Sequence, residues 1–299
     1  MILLSGSSNQ PLAEKIAQEL GMSLGALECS TFVNGERRVY VKEKVKGQDV
    51  AIIQSFSDPV DSHIIEFALI TDALFRQGAR RVFAVIPWFG YSLQDKVHRP
   101  GEPIAAKVIA SMLSSQSVYR FVLMNLHNSS TTGFFSVPSS HLSSDEVFAK
   151  EMKKIQGDIV LVSSDFGGLK RVGRFASEYL NVPIANIDKH RDLQTGAVTA
   201  RSVMGDVKGK TCIILDDMIN GGGTVIEAAH ILKEEGAVDV QCFATHAIFA
   251  GEASAKLQAS EVSRVVVSDT IDTCAKSFPK LHVVSVASVF AQELKDWIS

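Results

Sequence analysis

A chain of 299 residues, 46% of them apolar, is long enough for one large or two ordinary domains and too apolar for disorder. A net charge of −3 excludes bulk attraction to nucleic acid or acidic membrane, and no apolar run reaches the ~18–20 residues of a membrane span. Cys29, Cys212, Cys242 and Cys274 form no C-x-x-C pair, which argues against a disulfide framework or a zinc site and for a cytoplasmic protein.

The start, Met1 to Ser5, lacks a basic n-region and reads as a first strand, not a signal peptide. A helix follows. Asn9 or Ser8 can cap it, Pro11 suits its first turn, Leu12, Ile16 and Leu20 recur on one face, and Gly21 stops it. Phe32-Val33-Asn34-Gly35-Glu36 reads as a hairpin or tight turn. Strands are expected at Val50–Ser55, Val82–Pro87, Phe121–Asn125, Ile159–Ser163, Thr211–Leu215, Val240–Thr245, Val265–Val267 and Leu281–Ser285. Helical segments lie between most of them, the pattern of a parallel, doubly wound α/β sheet.

An internal echo divides the chain. Lys46-Gly47 precedes a strand, a helix (Ile64–Phe75), Gly78-Ala79 and another strand; Lys208-Gly209 precedes a strand, a helix (Val225–Glu235), Gly236-Ala237 and another strand. Two similarly wound domains are the economical explanation, with chance likeness of two βαβ units as the alternative. A Ser-rich stretch at 139–144 places the boundary, giving domains 1–142 and 143–299.

The richest segment is Ile213 to Thr224. An apolar strand ends in Asp216-Asp217, and Asn220-Gly221-Gly222-Gly223-Thr224 leads into a helix. Glycines let backbone N–H groups close on a phosphate, a helix N-terminus favours an anion, and adjacent carboxylates suit ribose hydroxyls or Mg²⁺. The bland alternative is an ordinary strand–turn–helix corner. The matching strand of the first half ends in Gln54-Ser55-Phe56, so the sugar phosphate is expected in the second half.

Other segments repeat the theme. Asp165-Phe166-Gly167-Gly168 leads into a helix with Lys170 and Arg171; Asp165 either binds metal or sugar hydroxyls or, like Ser164, caps that helix. Lys189 and Arg191 sit two apart after a strand, as two cations on a transferring phosphoryl group would; a solvated basic loop is the alternative. His127 follows a strand end as a Mg²⁺ or phosphate contact or a locally satisfied imidazole. Phe89 and Tyr91 either stack an adenine, with Gln94 on its edge, or pack as an aromatic cluster.

Together these segments resemble the ribose-phosphate pyrophosphokinase family over nearly the whole chain. The resemblance rests on Ser5 to Ala13, Asn34-Gly35-Glu36, Phe89-Gly90-Tyr91, Gln94-Asp95, Arg99 to Ile104, Gly133-Phe134-Phe135, Asp165 with Gly167-Gly168 and Lys170-Arg171, Ile187-Asp188-Lys189, the Asp-Asp-glycine segment, Ser268 to Ile271 and Val284 to Ala287. It implies two phosphoribosyltransferase-like domains, each a mainly parallel sheet flanked by helices. It implies transfer of pyrophosphate from ATP to the C1 hydroxyl of ribose 5-phosphate, giving PRPP and AMP, with Mg²⁺ required. Lys189 and Arg191 become the catalytic pair. Phe32, Asn34, Gly35, Glu36, Gln94, Asp95 and His127 become the ATP side, in which the Phe32–Glu36 loop reaches a neighbouring subunit of a dimer-based hexamer. Arg191, Asp216, Asp217, Asn220, Gly221, Gly222, Gly223 and Thr224 become the ribose 5-phosphate site, and His127 and Asp165 the Mg²⁺ positions.

The chain departs from the family pattern at six positions. Leu93 stands where the family has an arginine on the ATP phosphates. Asn125 and Asn220 replace carboxylates, Ser136 and Ser140 replace acidic residues after Gly-Phe-Phe, and Gly221 replaces a hydroxyl residue. A catalytically weak regulatory relative, or a transferase that consumes PRPP, are the alternative readings.

Overall fold

A computed structural model describes residues 1–191 and 198–298, with side chains outside 188–201. The chain divides into two compact units: Met1–Ser143 with Thr270–Asp272 and the residues from Ser285 onward, and Ser144–Asp269 with Thr273–Val284.

The first unit runs β1 (Ile2–Ser5), α1 (Gln10–Glu19), β2 (Leu27–Thr31), β3 (Arg37–Val41), β4 (Asp49–Ile53), α2 (Val60–Arg76), β5 (Arg81–Ile86), α3 (Ala105–Ser114), β6 (Arg120–Met124) and β7 (Ser139–Leu142). Asn9 caps α1 by accepting from Leu12 N at 3.3 Å, and Leu12, Ala13, Ile16 and Ala17 are its buried face. The sheet has the order β1-β4-β5-β6-β7 and every pairing in it is parallel; β2 and β3 form a separate hairpin. β4 is buried at all five positions, as a sheet covered on both faces requires.

The second unit runs α4 (Asp145–Met152), β8 (Ile159–Ser163), α5 (Phe166–Phe175), β9 (Ile184–Arg191), β10 (Val198–Met204), β11 (Thr211–Ile219), α6 (Gly223–Glu234), β12 (Asp239–Ala247), α7 (Ala253–Ala259), β13 (Arg264–Ser268) and β14 (Leu281–Val284). Its sheet has the order β10-β9-β8-β11-β12-β13-β14, parallel except at β9–β10. One face packs Cys212, Ile214, Cys242 and Val265 under Ala228 and Leu232 of α6; the other packs Ile213, Leu215 and Phe243 under Val172 and Phe175 of α5.

The final helix, α8 (Ala287–Lys295), lies in the second half of the sequence, which predicts it in the second domain. It packs in the first unit, against α1, with Phe290, Ala291 and Leu294 buried. Trp297 lies 5.6 Å from Phe83 and 6.2 Å from Tyr119 between ring centroids.

The echo between the halves extends to the hydrogen bonds. Gly47 N donates to Gly78 O at 2.7 Å and Ala79 N to Leu74 O at 3.0 Å; Gly209 N donates to Gly236 O at 2.9 Å and Ala237 N to Leu232 O at 3.0 Å. Among the described residues no helix is long and apolar enough to cross a membrane. Cys212 and Cys242 are buried, as the sequence suggested.

Candidate active site

The two sheets differ at one decisive point. In the second unit, strand order runs outward from β8 in two directions, to β9 and to β11. That is a topological switch point, and open α/β sheets bind ligands in the crevice at the carboxyl ends of such strands. In the first unit the order β4, β5, β6, β7 proceeds one way from β1, whose other side carries an isolated parallel bridge, Leu3↔Leu24, where the second unit has a full strand.

Asp165 leaves β8 at the switch point, and Asp216 and Asp217 lie on β11 beside it. β11 does not end at Leu215 as expected on sequence. It continues to Ile219, paired with β12 through Ile219↔Ala247, whereas its pairing with β8 stops at Ile214↔Val162. The carboxylates therefore stand within a strand that overhangs its neighbour. Asp217 is buried and Asp216 half-buried.

Arg171 of α5 fills the edge that β8 leaves open. Its Nη2 donates to Leu215 O at 3.3 Å and to Asp216 Oδ1 at 2.8 Å, and its Nη1 lies 3.2 Å from Asp217 Oδ1. Asp217 N also donates to Asp216 Oδ1, at 2.9 Å. Burial, with the bond to Asp217 adding to it, pushes the Asp216 carboxyl up to about 6. The two carboxylates hold the Arg171 guanidinium charged against the burial that opposes it. In the sequence Arg171 is only a cation on the helix after Asp165; the register of β8 against β11 gives it this role.

After Ile219 the chain turns through Asn220, Gly221 and Gly222 into α6. Gly222 is the N-cap at φ +77°, and a Cβ there would also meet Leu257 at 3.4 Å. Cβ atoms on Gly221 or Gly223 would meet nothing within 4 Å, which leaves their backbone open to a ligand. No side chain caps α6, so its leading N–H groups point at the turn without a side-chain acceptor. Thr224 is exposed at its first turn.

Asp165 is the N-cap of α5, accepting from Gly168 N through Oδ1 at 2.8 Å. That cap leaves the carboxylate exposed on the crevice side of the sheet's end. Lys189 and Arg191 stand at alternate positions of β9, paired with β10 through Lys189↔Arg201 and Arg191↔Val198. The strand thus continues through them instead of giving way to a loop; their side chains lie outside those described.

In the first unit, Asp95 and His127 sit on neighbouring loops, since Asn128 Nδ2 donates to Asp95 Oδ2 at 2.7 Å. His127 is exposed, and Gln94 is half-buried with its carbonyl accepting from Ala106 N at 3.1 Å. Asn34 shapes the β2–β3 turn, accepting from Glu36 N at 3.2 Å, with Gly35 N donating to Phe32 O and Phe32 N to Glu36 O. Phe32 is 50% exposed and Val33 fully so. The base of this hairpin is tied down by Arg37, which pairs with the fully buried Glu66 and donates to Ser7 Oγ at 3.0 Å. The adenine-stacking alternative fails for Phe89. It is 1% exposed, within the first unit's core, at 6.1 Å from Phe56 and 5.4 Å from Phe135 between centroids. Tyr91 is exposed, with its hydroxyl donating to Asp61 at 2.6 Å.

Comparison with known proteins decides the family. The domain described as the N-terminal domain of ribose phosphate pyrophosphokinase matches residues 1–116, and the phosphoribosyl synthetase-associated domain matches residues 160–297. Ribose-phosphate pyrophosphokinase of Caldanaerobacter subterraneus is 38% identical over 98% of this chain and 93% of its own length.

The chain belongs to the ribose-phosphate pyrophosphokinase family.

The enzyme of that name from Chromobacterium violaceum is likewise 38% identical, over 99% of this chain and 91% of its own. The crystal structure of phosphoribosylpyrophosphate synthetase from Mycobacterium smegmatis superposes with a TM-score of 0.93 at 34% identity, covering 99% of this chain and 98% of that one. As a ribose-phosphate pyrophosphokinase the chain is an enzyme, a diphosphokinase of nucleotide biosynthesis. The expected α/β architecture, two mainly parallel sheets flanked by helices, is the one observed.

Proposed function

We propose that the second unit holds ribose 5-phosphate and the first unit holds ATP, so that the C1 hydroxyl attacks the β-phosphorus. The bond from that phosphorus to the α,β-bridging oxygen breaks, AMP leaves, and the hydroxyl proton passes to solvent. The observation that carries this reading is the Asp216-Asp217 pair at the switch point, beside the uncapped start of α6. Ionised carboxylates accept hydrogen bonds from ribose hydroxyls, while the amides of Gly221–Thr224 donate to the 5-phosphate at a helix N-terminus.

Lys189 and Arg191 neutralise charge on the transferred group, the electrostatic work this chemistry demands. Gln94, Asp95 and His127 take the nucleotide in the first unit. The hairpin tip Phe32, Asn34, Gly35 and Glu36 serves the ATP of a neighbouring subunit, so the reading includes self-association through dimers to a hexamer. The exposed Phe32 and Val33 support that role. Mg²⁺, when bound, would offset the charge of the phosphates. Among the described residues no cluster of three metal-ligating side chains exists, which suits an ion held largely by phosphates and water with one or two protein groups. His127 and Asp165 are those groups, and the Asp165 cap uses only one of its oxygens. The reading places the enzyme in the cytoplasm.

The test is a turnover assay: purified protein, ATP, Mg²⁺ and ribose 5-phosphate, with AMP and PRPP measured. AMP formation well above a Lys189→Ala control is expected; equal rates would overturn the assignment.

A further inference from the structure

We propose that Arg171 is a positioning residue for the sugar-binding carboxylates: it clamps Asp216 and Asp217 to the overhanging edge of β11 and sets the direction in which they meet the ribose hydroxyls. This deepens the reading of the second unit as the ribose 5-phosphate site and rests on it.

The argument starts from the backbone. β8 ends at Ser163, so β11 beyond Ile214 has lost its neighbour on that side. An edge carbonyl there needs a donor, because a buried backbone group without one costs free energy. Leu215 O finds it in Arg171 Nη2, a side chain doing what a strand would have done. The same guanidinium reaches the two following side chains, so three consecutive residues of β11 are held by one planar fork. A lysine, with its point charge on a flexible stem, cannot reproduce that spread.

The clamp also decides which oxygens remain available. Oδ1 of Asp216 accepts twice, from Arg171 and from Asp217 N, which fixes how that carboxylate is presented to the crevice. Adjacent carboxylates repel, and a shared cation between them offsets part of that repulsion. Side-chain exposures of 27% for Arg171, 22% for Asp216 and 10% for Asp217 keep the cluster partly in contact with solvent. α5 thereby serves the crevice twice: Asp165 at its N-cap and Arg171 almost two turns on.

The experiment measures ribose 5-phosphate binding to the full chain by calorimetry without nucleotide, and ATP affinity separately, for wild type, Arg171→Met and Arg171→Lys. The expected result is a Kd for ribose 5-phosphate raised about tenfold or more in Arg171→Met and about three- to tenfold in Arg171→Lys. ATP affinity stays within about twofold. An unchanged Kd in folded variants overturns the positioning role while leaving the site reading intact. If Arg171→Met does not fold, Arg171→Lys decides, since it keeps the charge and loses the fork. A wild type that fails to bind ribose 5-phosphate overturns the site reading and this inference together.

Discussion

Gln54 of the first unit stands where Asp216 stands in the second. Each lies seven residues beyond the glycine that opens its βαβ repeat. Gln54 is fully buried. Its amide donates to Glu66 Oε1 at 2.9 Å and to His63 O at 3.3 Å, and its carbonyl accepts from Ser8 N at 3.2 Å and Ser8 Oγ at 2.8 Å. What is a crevice in one unit is a closed polar plug in the other.

Replacing Gln54 with leucine should therefore act on stability and leave sugar binding alone. The change strips partners from Ser8 and Glu66, and each buried group so stranded costs about 1–3 kcal/mol. Urea unfolding is expected to show a loss of about 2–4 kcal/mol, with the KM for ribose 5-phosphate unchanged. A variant of wild-type stability would show that the plug is not what closes the first sheet's end.

Asp216 should be a destabilising group at neutral pH. Its folded value of about 6 lies above the ordinary carboxylate value, so between roughly pH 4 and pH 6 the folded chain keeps a proton the unfolded chain has lost. Stability contributed by this group falls as pH rises through that window and stays lower above it. Asp216→Asn keeps the neutral shape throughout. It should match the wild type near pH 4 and exceed it by about 1–2 kcal/mol at pH 7.5, while losing most turnover. Denaturation at both pH values checks this; a gap of equal size at each would contradict the burial argument.

Two adjacent glycines of the phosphate turn should respond in opposite ways. Gly222→Ala forces a Cβ into a left-handed position against Leu257, at about 1–2 kcal/mol of stability. Gly221→Ala meets nothing and should change stability by less than about 0.5 kcal/mol. If phosphate approaches the Gly221 backbone, the second variant alone raises the KM for ribose 5-phosphate without moving Tm. Parallel thermal melts and steady-state kinetics separate the two effects.

Leu93 precedes the Gln94-Asp95 pair and is half-buried. Leu93→Arg should tighten ATP binding, one charged hydrogen bond being worth roughly 1.5–3 kcal/mol. Nucleotide titration of the variant against wild type is the check, and equal affinities would remove Leu93 from the nucleotide site.

Much of this was legible in the residues, and the failures have physical causes. The Lys-Gly and Gly-Ala echo marked turns whose hydrogen bonds repeat, because such turns are coded within a few residues. The Asn9 cap was local in the same sense. The overhang of β11 was not, since it depends on β12 continuing beside it after β8 has stopped. Phe89 looked like a stacking surface because an aromatic after a strand has the same sequence whether it faces a ligand or Phe56 and Phe135. Arg171 was visible as a helical cation; only the registers of β8 and β11 reveal the carbonyl it serves.

The return of α8 to the first unit bears on how the chain is made. Domains generally fold as units during synthesis, N-terminal first. Here the early half waits for its last helix: the Phe83 and Tyr119 rings meet Trp297, and α1 meets α8, only after the whole second unit has been translated. The residues of the second unit are thus all translated before the first unit has its α8 wall.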